Sequence, residues 1–137
     1  RETKGYLYSP IRQIVSLVKA NLSGTSDEEL TYIVDRHGIE LNDDEELAFA
    51  AVQLIIERCK AETNVLDFDD MCWMPIIHDL PPVKFDFIFV DEAQDTNKCQ
   101  LELALKCIRA DGRIVAVVTG IRVCTASVVQ MWTQSPI

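Results

Sequence analysis

Asp91 and Glu92 stand side by side after the segment FDFIFV, Phe85 to Val90, and lead into Ala93-Gln94-Asp95. Adjacent carboxylates can divide the work of hydrolysing a phosphoanhydride: one anchors a hard divalent cation through oxygen, and the other orients water against a phosphate. That chemistry needs the pair held at the mouth of a crevice. The apolar run before it, rich in Phe, Ile and Val and bounded by Pro81-Pro82 and a polar turn, predicts a fully buried parallel strand. Ligands of open α/β sheets gather at the carboxyl ends of such strands. The arrangement is that of a Walker B element.

Other residues invite chemistry less strongly. Asp67, Asp69 and Asp70 could form a metal or nuclease site, but their spacing equally suits a helix N-terminus, where the dipole favours acids, and we prefer that reading. A nuclease would also need a lysine near paired acids, and Lys84 and Lys98 flank the apolar strand outside its mouth. His37, beside Gly38, reads as a cation at a helix C-terminus and His78 as a loop residue. Trp73 with Met71 and Met74 reads as core rather than as a platform for stacking bases. Cys59, Cys72, Cys99, Cys107 and Cys124 are odd in number and lack C-x-x-C spacing, which disfavours zinc and a disulfide framework and predicts reduced, packed thiols.

Elements that could position the acids follow from periodicity and caps. Ser9-Pro10 opens a first helix through Ile11, Ile14, Val15 and Val18, with Gly24 as its end. Ser26 and Glu29 have capping-box spacing, predicting a second helix through Leu30, Ile33 and Val34 to Gly38. A third is expected from Asn42 to about Glu62, with Asp43, Asp44, Glu45 and Glu46 in its first turn and Leu47, Ala50, Ala51, Leu54 and Ile55 as its apolar face. A short helix over 67–77, interrupted by Pro75, precedes the strand at 85–90. A helix over about 97–109, a turn at Asp111-Gly112 and a strand over 113–118 complete half of a parallel αβ core.

At 137 residues the chain is one domain at most, large enough for a real core, and its net charge is −9. Arg1, Lys4, Arg12 and Lys19 make the first stretch basic, whereas Asp27 to Glu46 is dense in acids. Such a surface repels phosphate backbones, so bulk charge predicts no tight nucleic-acid binding by this chain alone. No apolar run is long enough to span a bilayer and no signal-peptide pattern opens the chain, so an intracellular, cytoplasmic protein is expected.

FVDEAQDTN resembles motif II of the UvrD/Rep-like superfamily 1 DNA helicases, and Leu66-Asp67-Phe68-Asp69-Asp70-Met71 resembles the LDFDDL element that precedes it there. Gln100-Leu101-Glu102-Leu103 and Gly112 to Val117 are similar to the next helix and strand of the same core. The resemblance is motif-specific over about 63–117 and general before that. It implies an α/β fold: a helical 1B-like subdomain over 1–80, then a partial RecA-like (P-loop NTPase) parallel sheet over 81–117. It also implies ATP and Mg²⁺ as cofactors, single-stranded DNA as partner, and 3′ to 5′ movement. By resemblance Asp91 holds Mg²⁺, usually through water. Glu92 aligns or deprotonates the attacking water, and Gln94 belongs to the nucleotide-binding network that couples nucleotide state to DNA contacts.

A phosphate-cradling loop ends in G-K-[ST], yet Gly5, Gly24, Gly38, Gly112 and Gly120 are never followed by Lys. The chain is therefore expected to be a piece of a longer helicase and inactive alone. A non-catalytic interaction protein derived from a helicase is the alternative. Residues 118–137 also depart from the family, reading VTGIRVCTASVVQMWTQSPI where motif III is expected. If Val117-Val118-Thr119 is encoded GTG GTG ACC with one G lost, restoring it lets permitted codons spell GDRYQGVYGFRGADVDSI, a motif III pattern. Residues 118–137 are read as out-of-frame, sticky and prone to disorder or aggregation.

Overall fold

The computed structural model describes residues 5–118 with their side chains and 122–127 as backbone. Five helices come first or interleave with three strands: α1 (Tyr8–Asn21), α2 (Asp27–His37), α3 (Glu45–Ala61), α4 (Asp70–Ile77), β1 (Phe85–Val90), α5 (Lys98–Cys107), β2 (Ile108–Val118) and β3 (Arg122–Ser127). The fold is α/β, a helical array joined to a partial RecA-like sheet in which β1 and β2 pair in parallel.

The helical array is held by one apolar cluster. Ile14, Val18, Leu30, Val52 and Ile56 are almost fully buried and pack with Phe49, Trp73, Met74 and Cys99. Each large side chain removed from water contributes about 1.5–3 kcal/mol. Local signals set the helix ends. Ser26 and Glu29 form the expected reciprocal box, the Ser26 side chain accepting from the Glu29 amide and the Glu29 carboxylate accepting from the Ser26 amide. The same carboxylate accepts from the Gly24 amide at 3.0 Å, and a Cβ on Gly24 would stand 2.2 Å from it. Gly24 thus makes room for the cap of α2 and does not end α1. That helix ends at Leu22, in the left-handed region with φ 52°, and its amide donates to the Lys19 carbonyl.

Three further expectations are corrected. Ser9 does not cap α1; a 3-10 turn over Gly5–Leu7 runs into the helix, and Pro10 lies in its first turn, where its missing N–H costs nothing. α3 starts at Glu45, because Asn42 and Asp43 adopt positive φ (49° and 62°) in the preceding turn. Its core face is Ala48, Phe49, Val52 and Ile56, while Leu47 and Leu54 are exposed and Ile55 lies at the margin. Apolar residues nearly encircle α3, so periodicity left the face ambiguous and Phe49 settled it by filling the core. Trp73 and Met74 are core as expected, but Met71 is exposed.

The sheet departs from expectation in two ways. β1 is a parallel strand but not a buried one: Phe85, Phe87 and Phe89 are 49%, 57% and 73% exposed. They alternate with the half-buried Ile88 and Val90. The turn at Asp111-Gly112 is absorbed into β2. Pairing passes from Phe85↔Ile108 to Phe87↔Arg113, so the intervening residues of β2 bulge outward. Gly112 is required there, since a Cβ would come within 2.8 Å of the Ile108 side chain and 3.0 Å of the Asp86 carbonyl.

β3 pairs antiparallel on the other side of β2, from Val118↔Arg122 to Arg113↔Ser127. The segment expected to be a passive tail therefore contributes backbone to the sheet, in keeping with its β-branched composition. Residues 119–121 and 128–137, where the rest of that tail falls, lie outside the described residues, as do residues 1–4.

Candidate functional site

β1 ends at Val90 and delivers Asp91 and Glu92 to the carboxyl edge of the parallel pair. The Glu92 amide donates to Asp91 Oδ1 at 3.0 Å. Glu92 itself sits in the left-handed region (φ 47°, ψ 48°), a conformation costing a non-glycine residue about 1–2 kcal/mol. The kink turns the chain into a 3-10 turn over Ala93–Asp95, in which the Asp95 amide donates to the Glu92 carbonyl at 2.8 Å. Strained backbone of this kind persists where surrounding structure over-determines it, often at sites of function.

Asp91, Glu92, Asp95, Thr96 and Gln100 line an open cleft of about 410 Å³, backed by Phe89 and Val90. Gln94 lies outside that lining and reaches it through Glu92, its Nε2 donating to Glu92 Oε2 at 2.5 Å. Sequence reasoning did not single out Thr96 or Gln100. Their signal was position: Thr96 follows the acids directly, and Gln100 closes the Asn97 capping box that starts α5. The donors around the cleft are carboxylate, hydroxyl and amide oxygens, hard ligands that suit Mg²⁺, which keeps several waters and takes few protein ligands. Among the described residues no group of three or more His, Cys, Asp or Glu is placed to hold a metal ion.

The second acidic group is a structural device. Asp67 Oδ1 accepts from the Asp70 amide at 2.8 Å and Asp70 Oδ2 accepts from the Asp67 amide at 3.0 Å, a reciprocal pair of bonds that closes the turn leading into α4. Their remaining oxygens face Lys19 of α1, whose Nζ donates to Asp67 Oδ2 at 2.7 Å and lies 2.8 Å from Asp70 Oδ1. The latter contact is an ion pair poorly aligned for a hydrogen bond. Asp69 accepts from the Ser16 hydroxyl at 2.7 Å. With every carboxylate engaged, the metal or nuclease reading of this trio loses its ligands. Lys19 is 1% exposed and its ammonium lies 5.5 Å from the Trp73 ring centroid. Burial pulls its pKa down, but the hydrogen bond to Asp67 and the contact with Asp70 outweigh that and leave it raised. Sequence reasoning missed Lys19, because a lone lysine on a helix reads as solvated.

The remaining candidates resolve simply. Lys84 donates to the carbonyls of Lys106 and Ile108 at the end of α5, far in role from a nuclease lysine. Burial, with Cys72 and Asp69 nearby, pushes the Cys99 thiol up to about 11, so it packs as a small apolar group. His37 lies in the last turn of α2 and His78 caps the end of α4. No helix among the described residues is long and apolar enough to cross a membrane.

A family model described as UvrD/REP helicase N-terminal domain matches residues 7–118, spanning the helical array, the acid pair and the parallel strands together. No curated protein and no solved structure matches the chain. The family match takes in most of the chain, and its motif II resemblance falls on residues that line a cleft at a strand's carboxyl end; the chain belongs to the UvrD/REP helicase N-terminal domain family.

Proposed function

We propose that this chain is part of an ATP-dependent DNA helicase that couples ATP hydrolysis to movement along single-stranded DNA, with Asp91 and Glu92 at its hydrolytic centre. The observation that carries this reading is the pair's place at the rim of the cleft after β1, inside the segment the family model matches. Asp91 would hold Mg²⁺, mostly through water, and the cation would neutralise charge building on the phosphates. Glu92 would orient the attacking water and take its proton. Its carboxylate is steered by the Gln94 amide, which suits Gln94 to a role in relaying nucleotide state. Translocation from 3′ to 5′ and a cytoplasmic setting, where DNA is at hand, follow from the family resemblance.

The chain by itself is proposed to be inactive. None of its glycines precedes a lysine, so nothing in it cradles the β and γ phosphates against the acid pair. An ATPase assay with Mg²⁺ and single-stranded DNA should give no turnover above buffer; robust turnover would overturn this. The exposed Phe85, Phe87 and Phe89 favour one second reading, a non-catalytic interaction protein that hides this face against a partner. A G-K-[ST] loop and the later helicase motifs in flanking DNA would decide for the enzyme.

We also propose that residues 118–137 are out-of-frame motif III. The family match stops at residue 118, where the resemblance in the sequence stops as well. Sequencing both strands of the source DNA across the codons for Val117 to Thr119 should recover one more G. An intact frame, with no neighbouring frame that spells motif III, refutes the idea.

A further inference from the structure

The element Leu66 to Met71 was singled out by resemblance, yet the hydrolytic reading gives it no task. Its carboxylates close on Lys19, which is 1% exposed although burying an ammonium costs several kcal/mol even when it is paired. Replacing the whole buried cluster, acids and lysine together, by hydrophobic residues of similar volume would serve stability as well, so the charges call for a reason beyond stability.

Its surroundings supply one. Lys19, Phe68, Asp69 and Cys72 face Asn97, Cys99 and Gln100 across a gap of only about 20 Å³. These last three residues make the N-cap and first turn of α5, and Cys99 is anchored in the same core as Trp73 and Met74. Gln100 lines this gap on one side and the cleft of Asp91 and Glu92 on the other. Between Glu92 and Asn97 the chain has only the 3-10 turn and Thr96, so the place of Asn97 limits where the acids can stand.

We propose that Lys19, Asp67 and Asp70 are positioning residues: by fixing the start of α4 to α1 they form the wall on which the first turn of α5 rests, and so set the acid loop against the helical array. Its meaning for ATP hydrolysis rests on the function proposed above. The clamp itself does not.

Amide hydrogen exchange on the full 137-residue chain separates the two. Two variants are compared with the unaltered protein. Asp67→Asn removes the charge from a side chain that is 56% exposed and should fold. Lys19→Met combined with Asp70→Asn removes both buried charges and keeps an oxygen to accept from the Asp67 amide. The expected result is exchange at least tenfold faster at Asp95, Thr96 and Leu101, with Leu30 and Ala48 in α2 and α3 unchanged. Unchanged exchange at the loop, or a uniform rise at all these amides, overturns the clamp, since a merely stabilising role moves every amide alike. In parallel, Mn²⁺ is titrated while amide signals are followed. Broadening centred on Asp91 and Glu92, abolished by Asp91→Asn and at least threefold weaker in apparent affinity in both clamp variants, supports the link to the site. If the unaltered chain shows no such broadening, the proposed site fails while the exchange result still judges the clamp.

Discussion

In a helicase that carries this segment, Glu92→Gln is expected to lower single-stranded-DNA-stimulated ATP turnover by about 10²–10⁴-fold, the range a positioned general base contributes. Gln keeps the size of the side chain and an oxygen to accept from Gln94 Nε2, so the cleft should retain its shape. It has no lone charge with which to take a proton from water. Because the change acts on the chemical step, kcat should fall while KM for ATP stays within a few-fold. Asp91→Asn should differ by raising the Mg²⁺ concentration needed for half-maximal rate. Steady-state kinetics at varied ATP and Mg²⁺ test both, and a Glu92→Gln enzyme with half the original kcat would remove Glu92 from the mechanism.

Lys19→Met should destabilise the chain by about 3–5 kcal/mol, because it strands Asp70, 5% exposed, as an uncompensated buried charge. The comparison that decides between burial and pairing is Lys60→Met. Lys60 pairs with Glu57 at 2.7 Å, but the two side chains are 43% and 66% exposed, and such pairs are worth about 0–1 kcal/mol. Urea denaturation of the three proteins should therefore give a large fall for the first variant and almost none for the second. Equal effects would mean that Lys19 is not desolvated.

The same ion pair predicts a pH profile. For Asp67, burial raises the pKa, but the hydrogen bond from Lys19 and the Asp70 amide outweigh it and leave the carboxyl below its ordinary 3.8. Its contribution is thus present above pH 3.8 and lost as pH falls through the depressed value. Lys19 is raised above its ordinary 10.5, so its contribution is complete below 10.5 and lost as pH climbs through the raised value. Between these limits the clamp should be insensitive to pH, and Lys19→Met should abolish the alkaline limb in a series of urea midpoints.

Local signals in the chain were legible because each is written within a few residues. The Ser26 capping box, the Gly38 stop with φ 59°, the strand before the acids and the acid pair at its end depend on neighbours alone. Where a reading failed, two distant segments had to meet. The face of α3 was undecided until Phe49 found the core, and Gly24 looked like a helix stop until Glu29 folded back over it. The exposure of Phe85, Phe87 and Phe89 is of the same kind. An apolar run specifies that a strand can be covered on both faces, but coverage is supplied by other elements, and among the described residues these three rings receive only part of it.

The composition and order of the chain thus determined an α/β fold, its family and the placing of Asp91 and Glu92, because motif spacing and strand ends are properties of contiguous residues. Tertiary structure alone decided which acids are occupied and which face a cleft. Asp67 and Asp70 looked as available as Asp91 and Glu92 until α1 brought Lys19 across more than forty residues to meet them. Charges acquire their roles from partners and from distance to water, and both are set only when helices pack.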